Sequence, residues 1–205
     1  MVILHDSRLL FIHIPRTSGV AVRDAMLQAR NDAQSFHAWY TDREMAGDVH
    51  ITARDALTLF PGYRTFAIIR NPWHCTESIW RWRMLVGLRP DLHLHHHGVR
   101  FVDHCKQIVQ WSYDEYVSDF FEEFPDGYYR HWCDDDTMCF RYEDRPYHAI
   151  GELIQCRLNV RQQNASIVPP PKWTQSAIDI VARHCVNDVE TFGYAKPTIA
   201  ELESR

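Results

Sequence analysis

The sequence predicts an α/β fold with a mainly parallel central sheet flanked by helices, in one domain spanning residues 1–205. Three observations carry this. Thr65-Phe66-Ala67-Ile68-Ile69 is a continuous apolar run, the pattern of a strand covered on both faces. Leu9 to Ile14 is a second, mostly apolar stretch. Each run is followed by a short polar turn with an arginine, Arg16 or Arg70, and then by apolar residues at helical spacing. Strands alternating with helices are the mark of parallel strand connections.

In chain order, Leu9–Ile14 leads through Pro15-Arg16-Thr17-Ser18-Gly19 into a helix with Val22, Ala25, Met26 and Ala29 on one face. Residues 31–47 read as a loop with aromatics. Thr52, with Asp55 three residues on, resembles a capping box for a short helix running to about Phe60. Pro61-Gly62 marks a turn. After the Thr65–Ile69 strand, Pro72 suits the first turn of a helix whose stripe is Cys75, Ile79, Trp82 and Val86. Residues 87–100 read as a loop; its histidines, His93 and His95 to His97, lack an acid or cysteine partner at a familiar ligand spacing and read as solvated. Helices follow over 101–109 and 113–124, with Asp126-Gly127 ending the second. Thr137–Tyr142 reads as a third sheet strand, and Pro146 opens a helix with Tyr147, Ile150, Ile154 and Leu158. A loop over 159–172 precedes a last helix from about Thr174 to Phe192.

Bulk properties narrow the functional classes. A net charge of −5 supplies no global basic field for nucleic acid. No apolar run approaches a membrane span and no signal-peptide pattern opens the chain, so a cytoplasmic location is expected. The six cysteines form no C-x-x-C and read as reduced. Neither G-x-G-x-x-G nor G-x-x-x-x-G-K-[ST] occurs.

The two turns carry the chemistry. A strand, a tight polar turn and a helix aim unpaired N–H groups, with about half a positive charge, at an anion. Arg16 adds a forked cation suited to phosphate or sulfate oxygens. Thr17 and Ser18 also suit a plain helix cap. Arg70 stands at the carboxyl end of the second strand, where ligands of parallel α/β sheets bind.

With both turns in view, the sequence resembles sulfotransferases that use 3′-phosphoadenosine 5′-phosphosulfate (PAPS), closest to the carbohydrate O-sulfotransferase branch and its small bacterial relatives. Phe11-Ile12-His13-Ile14-Pro15-Arg16-Thr17-Ser18-Gly19 is similar to the family's 5′-phosphosulfate loop. Phe66 to Trp73, with Ser78 eight residues after Arg70, is similar to its 3′-phosphate segment. Phe140-Arg141-Tyr142-Glu143-Asp144 and Asp188 to Tyr194 resemble its later strand end and its C-terminal helix ending.

The resemblance implies a P-loop-like three-layer fold and transfer of a sulfuryl group to a hydroxyl on a sugar, phenol or other small molecule. PAPS would be the donor and PAP the product, with no metal, nucleic acid or membrane involved. Arg16 would stand where the family usually has lysine, contacting the phosphosulfate. Thr17, Ser18, Gly19 and Val20 would line the 5′-phosphate, and Arg70 and Ser78 the 3′-phosphate. Asn164 and Ser166, in a loop over 162–172, would close over the nucleotide. The chain departs from the family at Ser18-Gly19-Val20, where two glycines and a hydroxyl are usual, and at His74 and Cys75, where an acid and an arginine are frequent. His50 is the leading candidate for the base that takes the acceptor proton; His37, His13 and Glu77 are alternatives. Two rival readings remain: a P-loop nucleotide or small-molecule kinase, and a non-catalytic nucleotide-binding module of the same fold.

Overall fold

The computed structural model describes residues 1–36, 50–93, 99–161 and 166–204. It is an α/β protein that divides into two compact units. The first takes in residues 1–36, 50–71 and 132–161, the second residues 72–93, 99–131 and 166–204.

The first unit is built on a five-stranded sheet in the order β3-β1-β2-β4-β5. Its strands are β1 (Val2–Leu4), β2 (Leu9–Ile12), β3 (Ala33–Ser35), β4 (Arg64–Ile69) and β5 (Met138–Arg141). β4 lies between β2 and β5 and is parallel to both, with Ile12 opposite Ala67 and Ile69 opposite Arg141. Every residue of β4 after Arg64 is buried, as its unbroken apolar run requires. The expectation of a mainly parallel sheet is corrected at the other edge. β1 pairs antiparallel with both β2 and β3, so the sheet is mixed. The β1–β2 hairpin closes at His5–Arg8, where the Arg8 N–H donates to the His5 carbonyl at 3.2 Å and Arg8 takes φ 48°. Strands of three residues show no readable alternation, and Ala33-Gln34-Ser35 has little β preference of its own.

One face of this sheet packs on helices α1 (Gly19–Ala29) and α8 (Tyr147–Leu153). Val2, Leu4, Leu9, Phe11, Phe66 and Ile68 meet Val22 and Met26 from α1 and Ile150 and Ile154 at the end of α8, all fully buried. Helix α2 (Ala53–Leu59) starts where its capping pair predicts. The Asp55 N–H donates to the Thr52 hydroxyl at 3.1 Å, and that hydroxyl donates to the Asp55 carboxylate at 2.9 Å.

In the second unit, α3 (Pro72–Leu88) opens at its proline as expected and is followed by α4 (Pro90–His93), α5 (Val99–Ile108) and α6 (Tyr113–Glu123). The short helix α7 (Tyr128–Trp132) crosses from the second unit into the first. The expected last helix is two, α9 (Gln175–His184) and α10 (Val186–Phe192), and α11 (Ile199–Glu203) follows. The Trp73 indole ties α3 to α9 by donating to the Ile178 carbonyl at 3.1 Å. All six cysteines are free thiols. No helix among the described residues is long and apolar enough to cross a membrane.

Candidate functional site at the carboxyl edge of the parallel strands

Because β2, β4 and β5 run parallel side by side, their carboxyl ends open onto one edge of the first unit. Each end carries a polar segment: His13 to Ser18, Arg70-Asn71, and Tyr142-Glu143. The three segments touch. The Arg70 guanidinium donates through Nη1 to the Arg16 carbonyl at 3.5 Å. Its carbon lies 5.3 Å from the centre of the Tyr142 ring, a cation–π distance. The Asn71 N–H donates to the Glu143 carboxylate at 2.8 Å. The two arginine-bearing turns therefore share one edge.

The first turn has an unusual backbone. Arg16 and Ser18 adopt φ of 65° and 74°, the left-handed region that side chains with a Cβ disfavour by about 1 kcal/mol or more each. A left-handed residue followed by a helical one turns successive N–H groups toward a single concavity. Among the described residues no side chain caps α1, an eleven-residue helix, so its first N–H groups add their partial positive charge there. Ser18 is half-buried and Val20 stands in the first turn of the helix. Thr17 is turned the other way. Its side chain is fully buried and its hydroxyl donates to the Ile14 carbonyl at 3.0 Å. The hydroxyl holds the turn closed.

Gly19 has a steric reason. A Cβ there would overlap the His13 imidazole. That ring is only 3 % exposed. Burial first, then the nearby His50, the N-terminal ammonium and Arg23, push its basicity well below the ordinary imidazole range. Burial thus favours the neutral form of the His13 ring, which packs against Gly19.

His50 lies above this packing residue. Its Nδ1 is 2.6 Å from the His13 carbonyl oxygen, the ring centroids are 4.6 Å apart, and Trp132 stands edge-on at 5.8 Å. A carbonyl only accepts, so Nδ1 carries the proton and the neutral ring has its lone pair on Nε2. A half-buried imidazole in this tautomer can take a proton from an oxygen nucleophile.

The remaining expected residues belong to the second unit or to stretches outside the described residues. Ser78 is half-buried on α3 of the second unit. Ser166 belongs to that unit too, and its carbonyl accepts from the Arg81 guanidinium at 3.1 Å. Glu77 is held by Arg81 and by the Trp173 indole, each at 3.3 Å. Asn164, His37 and His95 to His97 lie outside the described residues. Tyr142 and Glu143 belong to the Phe140–Asp144 motif but carry no role in the sequence reading; their place at the end of the third parallel strand is the signal that points to them. The contact of His50 with the His13 main chain leaves no sequence signal.

No family model, curated protein or solved structure matches this chain.

Proposed function

We propose that this protein is a sulfotransferase that moves a sulfuryl group from 3′-phosphoadenosine 5′-phosphosulfate to the hydroxyl of a sugar, phenol or other small molecule. The observation that carries the reading is the Arg70 guanidinium resting on the Arg16 main chain, which joins both cationic turns at one strand edge. The donor has two anionic ends, and this edge offers two cations and an uncapped helix start. In this reading the parallel trio β2-β4-β5 is the centre of a P-loop-like layered fold, and the enzyme works in the cytoplasm.

Sulfuryl transfer is an in-line displacement. The acceptor oxygen bonds to sulfur as the bond from sulfur to the 5′-phosphate oxygen breaks. Negative charge gathers on that leaving oxygen, so catalysis is positioning plus electrostatic stabilisation. The Arg16 side chain and the N–H groups of residues 17–20 receive the 5′ end and the charge that builds on it. Arg70, steadied by the face of Tyr142, takes the 3′-phosphate. His50 Nε2 accepts the acceptor's proton. Cations of the chain do the neutralising that a metal does in kinases.

The test is a transfer assay with the full chain, PAPS and a panel of hydroxyl acceptors in the presence of EDTA. Acceptor-dependent formation of PAP is the expected result. Magnesium-dependent transfer from ATP would establish the kinase instead, and PAP binding without transfer the non-catalytic module. Arg70→Ala should weaken PAP binding at least about tenfold more than binding of adenosine 5′-phosphosulfate, a loss typical of one charge-assisted contact. Equal losses would contradict the role of Arg70.

A further inference from the structure

The second unit holds a cluster that the transfer chemistry does not use. Asp119 and Glu123 are four residues apart on α6, so their carboxylates project from the same side of the helix. His104, from α5, meets them. Its Nε2 is 3.4 Å from Asp119 Oδ2 and 4.0 Å from Glu123 Oε1. One ligand atom from each residue lies within 4.8 Å of the others. His104 Nε2 and Asp119 Oδ2 are both shielded from solvent, yet neither makes a hydrogen bond among the described residues. A buried polar atom without a hydrogen bond is costly, and a native structure leaves few of them.

The spacing suits an ion between them. A tetrahedral ion with bonds of about 2.0–2.1 Å holds its ligand atoms about 3.4 Å apart. His104 and Asp119 already stand at that separation, and Glu123 Oε1, 4.0 Å from His104 Nε2, has to draw in by roughly half an ångström to complete the set. Arg83, from α3, grips Glu123 as a fork, with Nη1 3.0 Å from Oε1 and Nη2 2.9 Å from Oε2. Each carboxylate oxygen has a second lone pair, so the fork fixes the carboxylate and leaves Oε1 able to ligate. The three side chains are 31 %, 33 % and 40 % exposed, so the cluster lies close to the surface although Nε2 of His104 and Oδ2 of Asp119 face inward, and a small side-chain rotation admits an ion.

We propose that His104, Asp119 and Glu123 form a binding site for a divalent first-row transition ion, independent of the transfer site. One imidazole nitrogen and two carboxylate oxygens make a borderline donor set, suited to Zn²⁺, Co²⁺ or Mn²⁺ rather than to Ca²⁺ or Mg²⁺, which take all-oxygen shells. The charge of Arg83 makes the site weaker than a closed structural zinc centre.

The probe is ZnCl₂ titrated calorimetrically into the metal-stripped full chain. The histidines at 93 and 95–97 stay in place throughout, so any zinc they take is common to every sample. Asp119→Asn, which keeps the side-chain shape, and His104→Gln should each lose one zinc equivalent or weaken it at least tenfold. Zinc should also raise the melting temperature of the unaltered chain and not that of Asp119→Asn. The site is overturned if the unaltered chain binds no zinc, or if Asp119→Asn binds the same number of equivalents with affinity within twofold.

Discussion

The Nδ1 of His50 meets the carbonyl oxygen of His13 across 2.6 Å, and this contact decides which nitrogen of His50 can act as a base. Asparagine copies the Nδ1 donor and lacks Nε2. His50→Asn should therefore keep the hydrogen bond and bind PAP within about twofold of the unaltered chain. Its turnover should fall about 10²- to 10⁴-fold, the usual contribution of a general base. A transfer rate within threefold of the original would remove His50 from the reaction.

Gly19 and the buried ring of His13 share a space that admits no methyl group. Gly19→Ala must move the ring or the start of α1, and overpacking of this kind costs about 1–3 kcal/mol. Denaturant unfolding should show that loss. Paired with His13→Ala, the two losses should fall short of additive, because the smaller side chain vacates the contested volume. A stability equal to that of the unaltered chain would show that the contact is absent.

Asp188 is 2 % exposed on α10, with its carboxylate 3.4 Å from the Tyr129 N–H. Burial raises its carboxyl from the usual range to about 6, against smaller opposing effects of the Tyr129 N–H and the Arg130 charge. An unfolded aspartate titrates near 3.9. Between about pH 4 and 6 the folded chain holds a proton that the unfolded chain has lost. The contribution of Asp188 to stability is therefore greatest at low pH and falls as pH rises through this window, by about 3 kcal/mol in total. Asp188→Asn removes that dependence. Its stability relative to the unaltered chain should rise by roughly that amount between pH 4 and pH 7 in chemical unfolding, and a flat difference would refute the shift.

The sequence discloses those parts of the molecule that rest on local pattern. The unbroken apolar run of β4, the Thr52–Asp55 cap and the proline at the head of α3 each act within a few residues, so each is readable. β1 and β3 are not, because three residues carry no period and their pairing comes from neighbours distant in the chain. The break at Cys185 is hidden because Val181, Cys185 and Val189 keep the same four-residue step across it. In the site, the types and order of Arg16, Arg70 and His50 are legible. The left-handed turn at Arg16 and Ser18, the inward hydroxyl of Thr17 and the grip of His50 on the His13 carbonyl are not. Those are main-chain events, set by tertiary packing rather than by residue preference.

The inward turn of the Thr17 hydroxyl has one more consequence. In the proposed reading, an anion at this bend would be met by amide hydrogens beside the Arg16 side chain, and nineteen of the twenty amino acids supply such hydrogens alike. Two chains can then share the same grip while agreeing in few letters, and kinship at such a place is better sought in the path of the backbone than in the spelling of the loop.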